Sequence, residues 1–402
     1  YLPSAGLGET VEEALEEAVK IRLVSERPLG AFLSGGIDST IVTALMARHH
    51  SGPVKTFSIG FDDPAFDESG YARGVADYLG TDHTDLIVTP DPVDMFARLA
   101  EAYDQPFADS SAIPTLLLSE LASREVVVAL SGDGGDEGFG GYVRYRAAGV
   151  LQRMNPVWSA TSWLADPVAA VAERAGQRRV ARLTRHMTPM PNLGVRYRGL
   201  MEYQPPGIRD LVWTPEARAA ARPASTDLRF QATWDACSTA SSLDHMRAMD
   251  MATYLPDDLL VKVDIASMAN SLEVRSPFLD QEVLALAARI PDNLLIRGRT
   301  TKWILRQLAY RLVPRELVDR PKAGFGIPQA AWLRGPLHEM SRDLLLDNTA
   351  RQRGWFRPEV AERFLNEHQA GTNRDLYLWP MLMIEIWARR WLGTTASSSP
   401  RG

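Results

Sequence analysis

The chain has 402 residues, a formal net charge of −6, 45% hydrophobic and 23% charged residues. That balance suits a soluble protein of two or so domains and disfavours a nucleic-acid-binding surface. A single cysteine, Cys237, excludes an internal disulfide and a cysteine-based metal cluster; with no bilayer-length apolar run and no signal-peptide pattern, a cytoplasmic protein without a membrane partner is expected.

Thr10 to Ser25 reads as the first helix, with Thr10 and Glu13 as a capping box and Leu15, Ala18, Val19 and Leu23 as its stripe. The apolar run Leu29–Leu33 leads into Ser34-Gly35-Gly36-Ile37-Asp38-Ser39, and residues 39–50 read as a helix with Ile41, Leu45 and Met46 on one face. Strand, glycine turn and helix N-terminus together make an anion site. The first N–H groups of a helix lack internal partners, and the macrodipole places partial positive charge there. Two glycines let the backbone wrap an oxyanion, while Ser34 and Ser39 add hydroxyls. Asp38 would repel a bare phosphate, so a divalent cation between carboxylate and phosphates is expected: nucleotide with Mg2+. The stretch lacks the lysine of the G-x-x-x-x-G-K-[ST] loop.

Residues 54–61 read as a strand, Asp67 as the cap of a helix ending at Gly80, and 82–88 as a short strand. Helices follow near 92–103 and 112–124, then a buried-type strand over 126–130. Alternating strands and helices predict a mostly parallel sheet whose ligand sits at the carboxyl ends of the strands. The last strand runs into a second glycine-rich turn, Ser131 to Tyr142, with Asp133, Asp136 and Glu137 among six glycines. A hairpin needs no such acids. A magnesium ligand facing Asp38 explains one, and a general base explains another. Beyond about 150 extended runs disappear and a largely helical region is expected. Residues 157–225 resist placement, and the arginines of 178–185 read as helix surface. The expected division is an α/β nucleotide-binding core over 1–150, a helical region over 151–393, and a serine- and proline-rich, disordered tail over 394–402.

The S-G-G-x-D-S stretch resembles the pyrophosphate loop of the ATP pyrophosphatase superfamily. Both loops together resemble the synthetase domain of the asparagine synthetase B family. The likeness extends through Phe57–Phe61, Asp67-Glu68, Gly80-Thr81 with His83, Glu101–Pro106, Tyr254–Asp264, Ser271–Asp280, Thr301–Arg306 and Arg320–Pro328. It implies an adenine-nucleotide alpha-hydrolase-like α/β core followed by a helical region. It implies ATP and Mg2+, with Asp38 and Asp136 as metal ligands and Ser34, Gly35, Gly36, Asp38 and Ser39 as the pyrophosphate loop. Leu33, Ile59 and Gly132 match positions that contact adenosine. Asp133 matches the acid that accepts a proton from attacking ammonia, and Lys302 the lysine that offsets charge as pyrophosphate leaves. Arg275 and Lys322 are weaker candidates for phosphate or carboxylate.

Two departures stand out. Asp133 is one methylene shorter than the glutamate often found there, and Gly138 stands where a larger apolar residue is common. The family usually begins with a glutaminase domain whose N-terminal cysteine is the nucleophile. This sequence begins at Tyr1, and Cys237 reads as a core residue. Ammonia is therefore expected from solution or from a glutaminase domain or subunit. The resemblance implies amide formation from a small carboxylate, foremost aspartate, by way of an acyl-adenylate; a homodimer is compatible with it. β-Lactam, lasso-peptide, glycan and natural-product amide synthetases share the core and form the nearest rivals. A tRNA-modifying pyrophosphatase would want catalytic cysteines or a basic surface, and a non-catalytic nucleotide-binding subunit would not need acids in both loops.

Overall fold

The computed structural model describes residues 6–63, 67–175, 190, 192–221, 224–238, 241–319 and 326–393. Lys322, the arginines of 178–185 and the tail 394–402 lie outside the described residues. The chain forms two compact units: Tyr1–Thr89 with Asp109–Val143 and Cys237–Ile327, and Pro90–Ala108 with Arg144–Ala236 and Pro328–Gly402. Both are discontinuous in sequence, unlike the consecutive division at 150/151 expected above. Residues 237–327, counted with the helical region by their lack of long strands, pack in the same unit as the sheet.

Among the described residues the first unit holds five parallel strands in the order β3-β2-β1-β4-β5. They are β1 (Leu29–Phe32), β2 (Lys55–Phe61), β3 (Asp82–Val88), β4 (Val128–Leu130) and β5 (Glu273–Arg275). Gly30 pairs with Lys55 on one side and Ala129 on the other, and Ala129 pairs with Val274. Strand order therefore reverses between β1 and β4, and the loops leaving these two strands open side by side at the carboxyl end, where such sheets bind ligands. All three residues of β4 are buried, as a strand covered on both faces requires.

Six helices punctuate the strands in the first part of the chain: α1 (Leu7–Arg22), α2 (Ile37–His49), α3 (Ser69–Leu79), α4 (Pro92–Ala102), α5 (Ala112–Ser123) and α6 (Gly135–Phe139). The core of the first unit forms where Leu118 and Leu121 of α5 pack on Phe57 and Ile59 of β2, with Ala129 and Leu272 beside them. Helix α2 is buried at every position from Ser39 to Met46, rather than on one face. In the second unit, Phe96 of α4 packs against the buried Trp379 at 4.9 Å between ring centroids. Glu385, almost fully enclosed, is bonded by Arg353 at 3.1 Å and Arg389 at 2.9 Å.

Three expectations are corrected. The capping box of α1 does not form: the helix starts earlier, at Leu7 after the cap residue Gly6, and the Thr10 hydroxyl donates back to the Gly6 carbonyl at 3.2 Å. Asp67 does cap α3, accepting from Ser69 N–H at 2.9 Å, but stands one residue outside the first helical flank, Glu68. And among the described residues one strand lies beyond residue 150, β5, because hydrogen bonding to β4 fixes three residues that carry no periodicity of their own. Among the described residues, no helix is long and apolar enough to cross a membrane.

Candidate active site

The loop after β1 is shaped by what it must avoid. Gly35 has φ +71°, and a Cβ there would stand 2.7 Å from the backbone of Tyr71 in α3. Both facts demand glycine. Gly36 caps α2 in extended conformation, so the N–H groups of the first turn of α2 face the loop. Ser34 and Ser39 share a hydroxyl–hydroxyl bond of 3.1 Å, and Gly36 N–H donates to Ser34 Oγ at 3.3 Å. The predicted pyrophosphate loop is thus a compact ring of backbone and hydroxyl donors. Leu33 beneath it is buried with Ala72, Val75 and Ala76 of α3, while Ile59 is buried in β2.

The loop after β4 interlocks with the first. A Cβ on Gly132 would lie 2.8 Å from Cβ of Asp38, so only glycine permits the approach. Asp38 on α2 and Asp136 on α6 then converge on one cation, Lys302. Its Nζ donates to Asp136 Oδ1 at 2.9 Å and also pairs with Asp38 Oδ2. Lys302 precedes the helix Trp303–Leu312 and holds a left-handed backbone, φ 52°, rare for a residue with a Cβ. That conformation costs of order 1–3 kcal/mol and persists because the surroundings enforce it. The residue is 6% exposed. Burial alone would pull its pKa down; the charges and hydrogen bonds of Asp136 and Asp38 outweigh burial and raise it above the ordinary lysine value. Gly141 completes the arrangement, since a Cβ there would run into the Asp136 carboxylate and Lys302 Cε.

The other two acids of the second loop face elsewhere. Asp133 accepts a hydrogen bond from the Ser131 hydroxyl at 2.8 Å, and its carbonyl accepts from Ser276. Glu137 is 1% exposed and accepts from the Tyr142 hydroxyl. Burial, then the neighbouring Asp136 charge, push its pKa up to about 7, against the partial relief of Tyr142 and Lys302. Sequence reasoning counted Glu137 among three acids without giving it a place; the short helix α6 turns it inward while Asp136 faces the lysine. Arg247 was missed altogether. Its guanidinium donates to the carbonyls of Glu137, Gly138 and Ala287 and so fixes α6 from behind. A Cβ at Gly138 would make only ordinary contacts with Leu284 and Ala287, at 3.7 and 3.9 Å.

On the far side of β4 a pocket of about 410 Å³ opens, lined by Ser131, Asp133, Val274, Ser276 and Leu279 with Pro256, Leu260, Val261, Val263, Asp264 and Ser267 of the intervening helices. The π-helical segment Asp250–Leu259 brings Pro256 to it; a wider turn accommodates a proline that lacks an N–H. Arg275 does not join the site: it bonds Glu273 at 2.7 Å and the carbonyls of Arg22 and Val24, tying β5 to the end of α1. Cys237 is half-buried. Among the described residues, no group of three or more His, Cys, Asp or Glu side chains converges as a metal site. An ion held by Asp38 and Asp136 would have to complete its oxygen shell from a ligand and water.

A family model described as Asparagine synthase matches residues 10–389. The chain is 31% identical to "Asparagine synthetase [glutamine-hydrolyzing] 1" of Bacillus subtilis (strain 168) over 383 residues, covering 95% of this chain and 59% of that protein. It is 33% identical to a "Putative asparagine synthetase [glutamine-hydrolyzing]" of Mycobacterium bovis over 396 residues, 94% of this chain and 57% of the relative. A more distant relative, "Amidase chry2" of Gibberella zeae, is 26% identical over 373 residues, 84% of this chain and 54% of its own length. The chain thus spans little more than half the length of these curated relatives.

Proposed function

The chain belongs to the asparagine synthase family, and from that premise we propose that it is an ATP-dependent amide-forming ligase. A carboxylate oxygen attacks the α-phosphorus of ATP, the bond to the β-phosphate oxygen breaks, and pyrophosphate leaves. Ammonia then attacks the acyl carbon of the acyl-adenylate, loses a proton, and AMP departs with the bond electrons. Aspartate is the foremost acid, giving asparagine, and the "glutamine-hydrolyzing" names of the relatives suggest glutamine as the ammonia source.

What supports the reading is Lys302 bound to both Asp38 and Asp136. Two carboxylates that hold an ammonium can hold Mg2+, which takes one or two carboxylates and fills its shell with phosphate oxygens and water. The ion would neutralise phosphate charge. Lys302, beside both acids, would supply the positive charge that offsets the charge growing as pyrophosphate leaves. The Ser34–Ser39 loop and the first turn of α2 bind the pyrophosphate, Leu33, Ile59 and Gly132 frame the adenosine, and Asp133 accepts the ammonia proton.

ATP–pyrophosphate exchange across candidate acids, with and without ammonia, tests this. Acid-dependent exchange without ammonia, and AMP release with it, are expected; absence of exchange with every acid would refute the ligase reading. A second reading keeps the reaction and changes the acid. The pocket beside Asp133, about 410 Å³, falls in the roughly 300–1,000 Å³ range of sites for larger ligands, so an acid bulkier than aspartate has room.

A further inference from the structure

Lys302 occupies the place where the acid pair would receive a metal. Its ammonium donates to Asp136 Oδ1 at 2.9 Å and pairs with Asp38 Oδ2. The loop backbone is pressed against all three groups. A Cβ on Gly135 would stand 2.7 Å from the Asp38 carboxylate carbon, and one on Gly141 would run into Asp136 and Lys302. A divalent ion at the same oxygens would stand beside the ammonium and be repelled by it. The pair therefore holds one cation or the other.

The lysine is built to yield, but only to the right ligand. Ile304, Leu305 and Leu308 bury the helix Trp303–Leu312 that follows it, which anchors the backbone. The flexible four-carbon stem is what can carry the charge elsewhere. Without a nucleotide the ammonium has no better partner. Glu137, the remaining acid beside Asp136, is 1% exposed and engaged by the Tyr142 hydroxyl. The loop Ser34–Ser39 offers hydroxyls and the N–H groups of the first turn of α2, which suit an anion rather than a cation. A triphosphate reverses the balance. Its oxygens accept the ammonium and also ligate the ion that replaces it at the acids. A free ion brings no such compensation, and among the described residues no third His, Cys, Asp or Glu joins the pair as a metal group.

We propose that Lys302 is the specificity-determining residue that reserves the acid pair for a divalent ion carried by a nucleotide: in the nucleotide-free protein its ammonium fills the pair and excludes the free ion. The inference rests on the ligase reading, which supplies ATP as the ligand that draws the lysine away.

The test is Mn2+ binding by the nucleotide-free full chain, with the free ion read by electron paramagnetic resonance. Lys302→Met and Lys302→Gln both remove the charge, and the glutamine keeps hydrogen-bond donors for the acids should the methionine variant fold poorly. Each should bind Mn2+ about 10-fold or more tighter than the wild type. Adding Asp136→Asn to either variant should abolish the gain, which places the ion at the pair. Affinity for the complex of Mn2+ with α,β-methylene-ATP should stay within about threefold across wild type and single variants, so that only the preference for the nucleotide-borne ion is lost. Equal Mn2+ affinity in wild type and variants, a gain that survives Asp136→Asn, or an equal gain for the nucleotide complex would each overturn the inference. None of these touches the ligase reading, which falls separately if the wild type shows no ATP–pyrophosphate exchange with any acid.

Discussion

Strand β4 separates two regions built on opposite principles. On its β1 side everything is closed: glycines bring two loops within contact distance, and Lys302 locks Asp38 to Asp136. On its β5 side a chamber of about 410 Å³ stands open, walled by aliphatic side chains. In the proposed reaction the closed side takes the nucleotide chemistry, and its charges must be positioned before the reaction because reorganisation would cost rate. The open side handles what differs between substrates. Ser131 and Asp133, leaving the end of β4, face the open side from the loop that builds the closed one.

Breaking the closed side should have the largest effect. Asp38→Ala removes a proposed metal ligand and one of the two carboxylates paired with Lys302; exchange should fall by about 10³-fold or more, a loss of ~4 kcal/mol of transition-state stabilisation, read by initial rates at saturating acid. Near-normal exchange would remove Asp38 from the site.

Glu137 tests whether the closed side is supported from beneath. Burial and the neighbouring Asp136 charge raise its carboxyl pKa to about 7, against 4.5 when unperturbed. A raised folded value means that its stabilising contribution is full below about pH 4.5 and is lost as pH rises through about 7, by roughly 3 kcal/mol. Denaturant unfolding of nucleotide-free protein from pH 4.5 to 8 should show that decline. Glu137→Gln, which keeps the shape without titrating, should flatten it. An identical slope in the variant would assign the decline to other groups.

Gly141→Ala probes the same side by volume alone. The added methyl meets the Asp136 carboxylate and Lys302 Cε, so a destabilisation of about 1–3 kcal/mol and a matching loss of exchange are expected; an unchanged Tm and rate would show that the ion triad yields easily. On the open side, Val274→Phe should act more weakly and differently. It narrows the pocket, so the acid's KM should rise about 10-fold, near 1.4 kcal/mol, while ATP affinity stays within twofold. Equal losses in both would erase the distinction between the two sides.

Much of the closed side was legible because local chemistry encodes it. Ser34–Ser39 reads as a candidate anion site by its glycines, hydroxyls and following helix, and the resemblance joined it to Asp136 and Lys302, the latter 264 residues from Asp38 and paired with it in the fold. The left-handed backbone of Lys302 was not legible, since nothing near it predicts a strained non-glycine residue. Nor was β5, whose three residues become a strand only by pairing with β4. The failed capping box at Thr10 shows the converse: a correct local signal gave way when α1 started one turn earlier. Glu137 and Arg247 owe their roles to burial and to partners far along the chain, which no spacing reveals. The pocket was illegible for the same reason, being assembled from a loop after β4, a strand and a π-helical turn.

The most direct measurement is Lys302→Ala, assayed in parallel for ATP binding and for ATP–pyrophosphate exchange in the presence of Mg2+. If Lys302 offsets charge in the transition state rather than holding the ground state, ATP affinity should stay within about threefold while exchange falls by roughly 10²–10³-fold. Exchange close to that of the wild type, or a loss that tracks ATP binding alone, would contradict the role given to Lys302.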